Sequence, residues 1–286
     1  MKFNYYFEYT TSGSVKITDC ENDDFKLKML EKDGVLKLTL LPAVPIEIKK
    51  FYATVPYVFA DGARFLANGF QSWTDTKEFV KEEQMPDIGK IGKTPAGRAM
   101  GMQYVGDYTF VPEKTCPGVF HSHGFAYVKT KDVYDFFGSL TDRTGYTVIT
   151  ADMNRNTLCF SKDLEGTVLT EPYEILSLYF AEGSYEAVFD GYFAAMGIQP
   201  STDQKIKGYT SWYNYYQNIS HKVIARDLNA IAQCGGVDIF QVDDGYQTAV
   251  GDWLSTDSKK FPFGMQAVAD AIHAKGLQAG LWLAPF

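Results

Sequence analysis

A chain of 286 residues is long enough for about two domains. Its 45% hydrophobic content excludes a mostly disordered protein. The formal charge of -8, with no basic stripe, argues against nucleic acid as a partner, because phosphate binding needs clustered Lys and Arg.

The chain starts with MKFNYYFEYTTSG, which has no apolar core segment and no small-residue cleavage site. No apolar run is long enough to span a bilayer. A soluble cytoplasmic protein without a membrane partner is the expectation. The cysteines Cys20, Cys116, Cys159 and Cys234 lie far apart with no CxxC pair, which fits neither a disulfide framework nor a zinc site.

From the start to about Glu182 the pattern is extended. FKLKML, VLKLTL and IEIKKFYATV alternate apolar and polar residues, and GFAYVKT, YTVITADM and EILSLYFAEG continue in the same style. Period two at regular spacing, in runs rich in β-branched and aromatic residues, predicts an all-β sandwich or barrel. Two stretches interrupt it. ANGFQSWTDT gathers Asn68, Gln71 and Trp73 among Gly and Ser, either as a turn with one packed Trp or as a loop reaching over an active site. HSHG places His121 and His123 on one strand face. Without a Cys, Asp or Glu partner nearby, they read as packed or surface histidines rather than metal ligands.

The period changes near Gly183. SYEAVFDGYFAAMG sets Ala187, Val188, Tyr192 and Phe193 on one helical face and ends at Gly197. The polar IQPSTDQKIKG is a linker. The division is thus residues 1–200, a β domain with a closing helix and linker, and residues 201–286.

Beyond Gly208 strands and helices alternate. GYTSWYNYY is a strand entering a loop. SHKVIARDLNAIAQCGG is a helix with Ser220 as N-cap and Gly235–Gly236 past its end. VDIFQVDDG is a strand, FPFGMQAVADAIHAKG a helix ending at Gly276, and LQAGLWLAPF a third strand. The strands read as apolar on both faces, as in a parallel sheet of βαβ units. A doubly wound sheet would want a glycine-rich phosphate loop after its first strand, and SWYNYYQNIS is not one. A (β/α) barrel carries its chemistry at the C-terminal strand ends. The unusual residues sit there: Trp212 and Tyr213, Asp243 and Asp244, and Trp282. The barrel is favoured, with only its first three strands present, as in the front part of a longer enzyme.

Adjacent acids gain nothing from burial, since each ionised carboxylate must be solvated, paired or used. Asp243 and Asp244 precede Gly245, which permits a sharp turn and lets the second acid swing toward a barrel mouth. There the pair could accept hydrogen bonds from neighbouring hydroxyls of one sugar. A solvated Asp-Asp-Gly turn is the plainer alternative, and a magnesium site lacks an obvious third oxygen ligand. The two are not a glycosidase's acid and nucleophile, which must flank the scissile bond with carboxyls roughly 5 to 9 Å apart. Trp212, Tyr213 and Trp282 could stack on a pyranose or serve packing. Asp252 and Trp253, in GDW, could add to the wall.

Together NGFQSW, GYTSWYNYY, FQVDDGYQTAVGDW and KKFPFGMQAVADAIHAKGLQAGLWLAPF resemble glycoside hydrolase family 36, the α-galactosidases called melibiases. The resemblance implies an N-terminal β-supersandwich followed by a (β/α)8 TIM barrel, here truncated after three strands. It implies retaining hydrolysis of terminal α-galactosides such as melibiose and raffinose, with no metal or cofactor. Asp243 and Asp244 then match the acids that grip the galactose hydroxyls. Trp212, Tyr213 and Trp282 match the sugar pocket, and Trp73 the tryptophan of an N-terminal loop that reaches an active site, in some homo-oligomers a neighbour's. The nucleophile and acid/base would follow Phe286, so no catalytic residue is assigned and the chain alone is expected to be inactive. An α-N-acetylgalactosaminidase, a transglycosylase of the raffinose-synthase kind and a non-catalytic carbohydrate-binding fragment remain as alternatives.

Overall fold

The computed structural model describes residues 2–70, 74, 76–86, 94–100, 116–143, 145–164 and 166–284. The chain divides into two compact units, Met1–Gln199 and Pro200–Phe286.

The first unit is built on strands β1 (Asn4–Thr11), β2 (Ser14–Thr18), β3 (Phe25–Lys32), β4 (Val35–Pro42), β5 (Ile46–Pro56), β6 (Arg64–Ala67) and β7 (Lys77–Val80). After a short helix α1 (Pro95–Ala99) follow β8 (Val119–His123), β9 (Phe125–Thr130), β10 (Val133–Ser139), β11 (Thr147–Asp152), β12 (Thr157–Lys162), β13 (Val168–Leu169) and β14 (Tyr173–Gly183). One sheet runs β2-β1-β5-β12-β11-β8, with β13 also on β5, and the other runs β3-β4-β14-β10-β9-β6-β7. The pairings within both are antiparallel.

Alternating sequence becomes alternating burial. In β11 and β12 every second residue is buried, and β4 hides Leu36, Leu38 and Leu40. These inner faces form one apolar cluster. Rings from the two sheets meet in it: Phe7 lies 5.0 Å from Phe25, and Phe160 lies 5.9 Å from Phe180. Such aromatic pairs add about 0.5–1.5 kcal/mol each beyond their buried area.

Helix α2 (Tyr185–Met196) closes the unit. Ser184 caps it by accepting from the Ala187 N–H, and Gly197, at φ 69°, ends it in the left-handed conformation. Val188 and Tyr192 are buried, and the Tyr192 hydroxyl donates to the Ser139 carbonyl at 2.7 Å. Phe193, expected on the same face, is 44% exposed.

Two buried groups give the first unit a pH signature. Lys162 is 5% exposed, and its ammonium donates to the Thr141 carbonyl (2.7 Å) and hydroxyl (2.8 Å). Burial pushes its pKa down from 10.5 to about 8, against the attraction of Asp142 and Glu174. Burial pushes Tyr192 up from 10.0 to about 12. Between pH 8 and 10.5 the unfolded lysine keeps a proton that the folded one has released, so stability rises with pH. Above pH 10 the unfolded phenol ionises while the folded one does not, so stability falls. Urea-denaturation midpoints are expected to climb from about pH 8 to about 10 and then drop, and Lys162→Met is expected to flatten the climb. A profile that declines throughout this range would contradict the assignment.

The second unit holds β15 (Gly208–Thr210), the one-turn helix α3 (Trp212–Tyr215), α4 (His221–Cys234), β16 (Ile239–Val242), α5 (Gly264–His273) and β17 (Gln278–Leu281). The three strands form a parallel sheet in chain order. Ser220 caps α4 by accepting from the Val223 N–H, and Gly235 and Gly236 follow its end with positive φ. Ile224 and Leu228 of α4 and Val268 and Ile272 of α5 pack with Phe240 and Val242 of β16. The sequence led us to expect strands apolar and covered on both faces. Among the described residues the helices cover one face. Ile239 and Gln241, on the other, are half-buried, and β17 is largely exposed. No described helix is long and apolar enough to cross a membrane.

Candidate functional site at the end of the central parallel strand

Strand β16 stops at Val242, one residue before the acid pair, and Gly245 makes the turn at φ 109°. A Cβ there would lie 2.7 Å from both the Cα and the carbonyl oxygen of Gln217, so only glycine lets the two backbones approach this closely.

The parallel register sets Thr210 opposite Gln241 and brings the end of β15 beside Asp243. The Thr210 hydroxyl donates to Asp243 Oδ2 at 2.6 Å, and Gln241 Nε2 to the same oxygen at 3.0 Å. Asp243 Oδ1 accepts the Asp244 N–H at 2.9 Å, and the Asp243 N–H donates to Ser211 Oγ at 3.0 Å. Asp244 is held by two amides, Gln217 Nε2 on Oδ2 (2.7 Å) and Gln247 Nε2 on Oδ1 (2.5 Å). Gln247 in turn accepts the Gly245 N–H at 3.0 Å.

The acids are 7% and 8% exposed, so they are set into the turn rather than projecting from it. Each of the four carboxylate oxygens accepts a bond from within the chain. For Asp244, burial by itself would raise the pKa. The Gln217 and Gln247 amides, the Gly245 backbone and the Lys260 charge outweigh it and hold the carboxyl below its ordinary value. Its hydrogen-bond donors are neutral, and each oxygen keeps acceptor capacity beyond its one amide. Chemically this is a fixed, ionised acceptor, suited to hydroxyl groups.

The aromatic residues fall differently from their sequence reading. Trp212 and Tyr213 do not end a strand. β15 is three residues long, Ser211 turns the chain with helical angles, and the pair begins α3. Trp212 is half-buried edge-on to Tyr216 at 5.1 Å, and Tyr213 is 86% exposed. Trp282 follows β17, and its N–H donates to the Val242 carbonyl (3.0 Å), which places it beside the start of the acid turn. Its ring meets Trp253 edge-on at 5.6 Å, so GDW and the third strand end do come together. Asp252 accepts from the Thr248 hydroxyl at 3.4 Å in the loop between. Trp73 and Gln71 lie outside the described residues. Asn68 anchors its turn to β8 through the Ser122 hydroxyl and the His123 carbonyl, each at 2.7 Å. His121 and His123 are buried with rings 5.8 Å apart, and His123 packs on Phe70. Among the described residues no group of three or more His, Cys, Asp and Glu is arranged to hold a metal ion.

The residues that the sequence reading passed over are Thr210, Ser211, Gln217, Gln241, Gln247 and Lys260. Gln241, two residues before Asp243, and Gln247, three after Asp244, were within local reach.

Comparison with known proteins first shows the fold. The fold is similar to that of an α-galactosidase from Thermus thermophilus solved with p-nitrophenyl α-D-galactopyranoside. The TM-score is 0.62 at 21% identity, covering 98% of this chain and 49% of that one. A family 36 α-galactosidase from Geobacillus stearothermophilus gives a TM-score of 0.58 at 13% identity, with 98% and 45% covered. At these identities the likeness is one of fold.

Sequence similarity is confined to part of the chain. Residues 207–286 match the melibiase family model. Over 81 residues the chain is 32% identical to α-galactosidase A of Cellvibrio japonicus, which covers 26% of this chain and 20% of that protein. Over 57 residues it is 39% identical to an α-galactosidase of Lactobacillus acidophilus, covering 18% of this chain and 8% of that one. Residues 207–286 thus resemble the melibiases, and the chain spans about half the length of the solved relatives.

Proposed function

We propose that this chain is the sugar-gripping part of an α-galactosidase that hydrolyses terminal α-galactosides of the melibiose and raffinose type with retention. The observation that carries the reading is the Asp243–Asp244 pair at the C-terminal end of the central parallel strand, fixed by neutral donors, with Asp244 held ionised. A charged acceptor strengthens each hydrogen bond from a sugar hydroxyl. Neutral donors orient the carboxylate without neutralising it.

On this reading β15, β16 and β17 are the first strands of a (β/α)8 barrel whose polar residues gather at the C-terminal strand ends. Trp212, Tyr213 and Trp282 line the sugar pocket. The retaining reaction needs two further carboxylates: one attacks the anomeric carbon, and the other protonates the departing oxygen and then activates water. Support for the substrate class comes from solved relatives from Thermus thermophilus, one with stachyose and one with p-nitrophenyl α-D-galactopyranoside.

The test is release of nitrophenol from p-nitrophenyl α-galactoside. The full-length protein carrying this chain is expected to release it, and the 286 residues alone are expected to release none. Failure of the full-length protein with α-galactosides, or turnover by the 286 residues alone, would overturn the reading.

A further inference from the structure

Lys260 sits on the loop before α5, yet its ammonium is spent on the main chain beneath the acid turn. It donates to the Gln217 carbonyl at 2.9 Å and to the Gly245 carbonyl at 2.9 Å. Those carbonyls belong to the two segments pressed together where a Cβ on Gly245 would not fit. Both segments also hold Asp244: Gln217 donates its amide to Oδ2, and Gly245 is bonded to the Gln247 side chain that holds Oδ1. Two carbonyl oxygens that share one ammonium repel each other, and the cation's attraction for both offsets that repulsion. The Lys260 backbone is itself fixed, its N–H on Asp257 Oδ1 (3.3 Å) and its carbonyl accepting the His221 N–H (2.9 Å).

We propose that Lys260 is a positioning residue for the acid pair: by clamping the Gln217 and Gly245 carbonyls it sets the Asp244 carboxylate at the angle at which it accepts hydroxyls of a bound hexose. The proposal rests on the functional reading above. The charged and titratable groups around the clamp are Asp243 and Tyr246 on the acid turn, Asp257 on the same loop and His221 at the start of α4.

The experiment has two arms on the full-length protein. In kinetics with p-nitrophenyl α-galactoside, Lys260→Met is expected to raise KM about tenfold or more with kcat changed less than threefold, and to move the acid limb of kcat/KM to higher pH. Lys260→Arg is expected to recover part of the loss. In ¹³Cγ-aspartate NMR, the Asp244 carboxyl, assigned by its loss in Asp244→Asn, is expected to titrate at higher pH in Lys260→Met. A lysine that merely stabilises the fold would lower Tm and leave KM, the acid limb and the carboxyl titration unchanged, and that result overturns the proposal. Should Lys260→Met fail to fold, Gln217→Leu removes the amide that the clamp positions. The same rise in KM is expected, and an unchanged KM overturns the proposal. If the unsubstituted protein releases no nitrophenol, the functional reading fails and the carboxyl titration alone decides for or against Lys260.

Discussion

Asp244→Ala, introduced into the protein that carries this chain, is expected to lower kcat/KM for p-nitrophenyl α-galactoside by about 10²- to 10⁴-fold. Hydrogen bonds to a charged group contribute roughly 1.5–3 kcal/mol each. A carboxylate that grips two hydroxyls therefore supplies about 3–6 kcal/mol, at about 1.4 kcal/mol per factor of ten. The alanine adds a second loss inside the protein. The Gln217 and Gln247 amides, at 2.7 and 2.5 Å from the carboxylate, would lose their acceptor within the turn. An unsatisfied buried donor costs about 1–3 kcal/mol. Asp244→Asn keeps the volume but turns one acceptor into a donor facing another amide, so it too is expected to be impaired. Kinetics should be read beside circular dichroism, which separates lost binding from lost fold. Unchanged kcat and KM in a folded Asp244→Ala protein would remove Asp244 from the sugar site.

Gly245→Ala is expected to destabilise the second unit by about 2–6 kcal/mol, from two separable causes. At φ 109° an L-residue is strained, at about 1–3 kcal/mol. The new Cβ would also lie 2.7 Å from the Cα and carbonyl oxygen of Gln217, main-chain atoms that cannot rotate away. Overpacking of this kind costs about 1–3 kcal/mol more. Gly251 provides the control. Its φ is 96°, and nothing lies within 4 Å of where its Cβ would be, so Gly251→Ala carries the dihedral strain alone. Urea denaturation of the two variants should differ by the overpacking contribution. Equal losses would mean that the seam between the acid turn and the Gln217 loop yields freely, and would weaken the case for a clamped Asp244.

Local signals in the sequence carried much of this architecture. The alternation in VLKLTL and YTVITADM became buried–exposed alternation in β4 and β11. Ser220 and Gly235 marked the ends of α4 where they fall. EILSLYFAEG shows where a local period misleads: Ile175 to Leu178 are buried in succession, because a break in register between Glu174 and Leu176 lets Ile175 and Leu176 both join the sandwich core along with Leu178. Trp212 and Tyr213 misled as well, since a three-residue strand leaves no room for them and Ser211 turns the chain into α3.

The acid pair was legible because two carboxylates and a glycine are conspicuous after an apolar run. Their partners were not. Gln217 lies 27 residues from Asp244, and Lys260 lies 15 from Gly245. Those pairings are created by the parallel register and by the close approach at Gly245, and neither leaves a period in the sequence. The seating of the acids also went unread: they are set into the turn by Thr210, Gln241, Gln217 and Gln247 instead of standing open on a rim.

The central claim is that these two carboxylates receive a hexose. A crystal structure of the full-length protein with galactose tests it most directly. Two hydroxyl oxygens of one sugar are expected within hydrogen-bond distance, roughly 2.5–3.0 Å, of the Asp243 and Asp244 carboxylates. Galactose seated elsewhere, with the acids bonded only to Thr210, Gln241, Gln217 and Gln247, would contradict it.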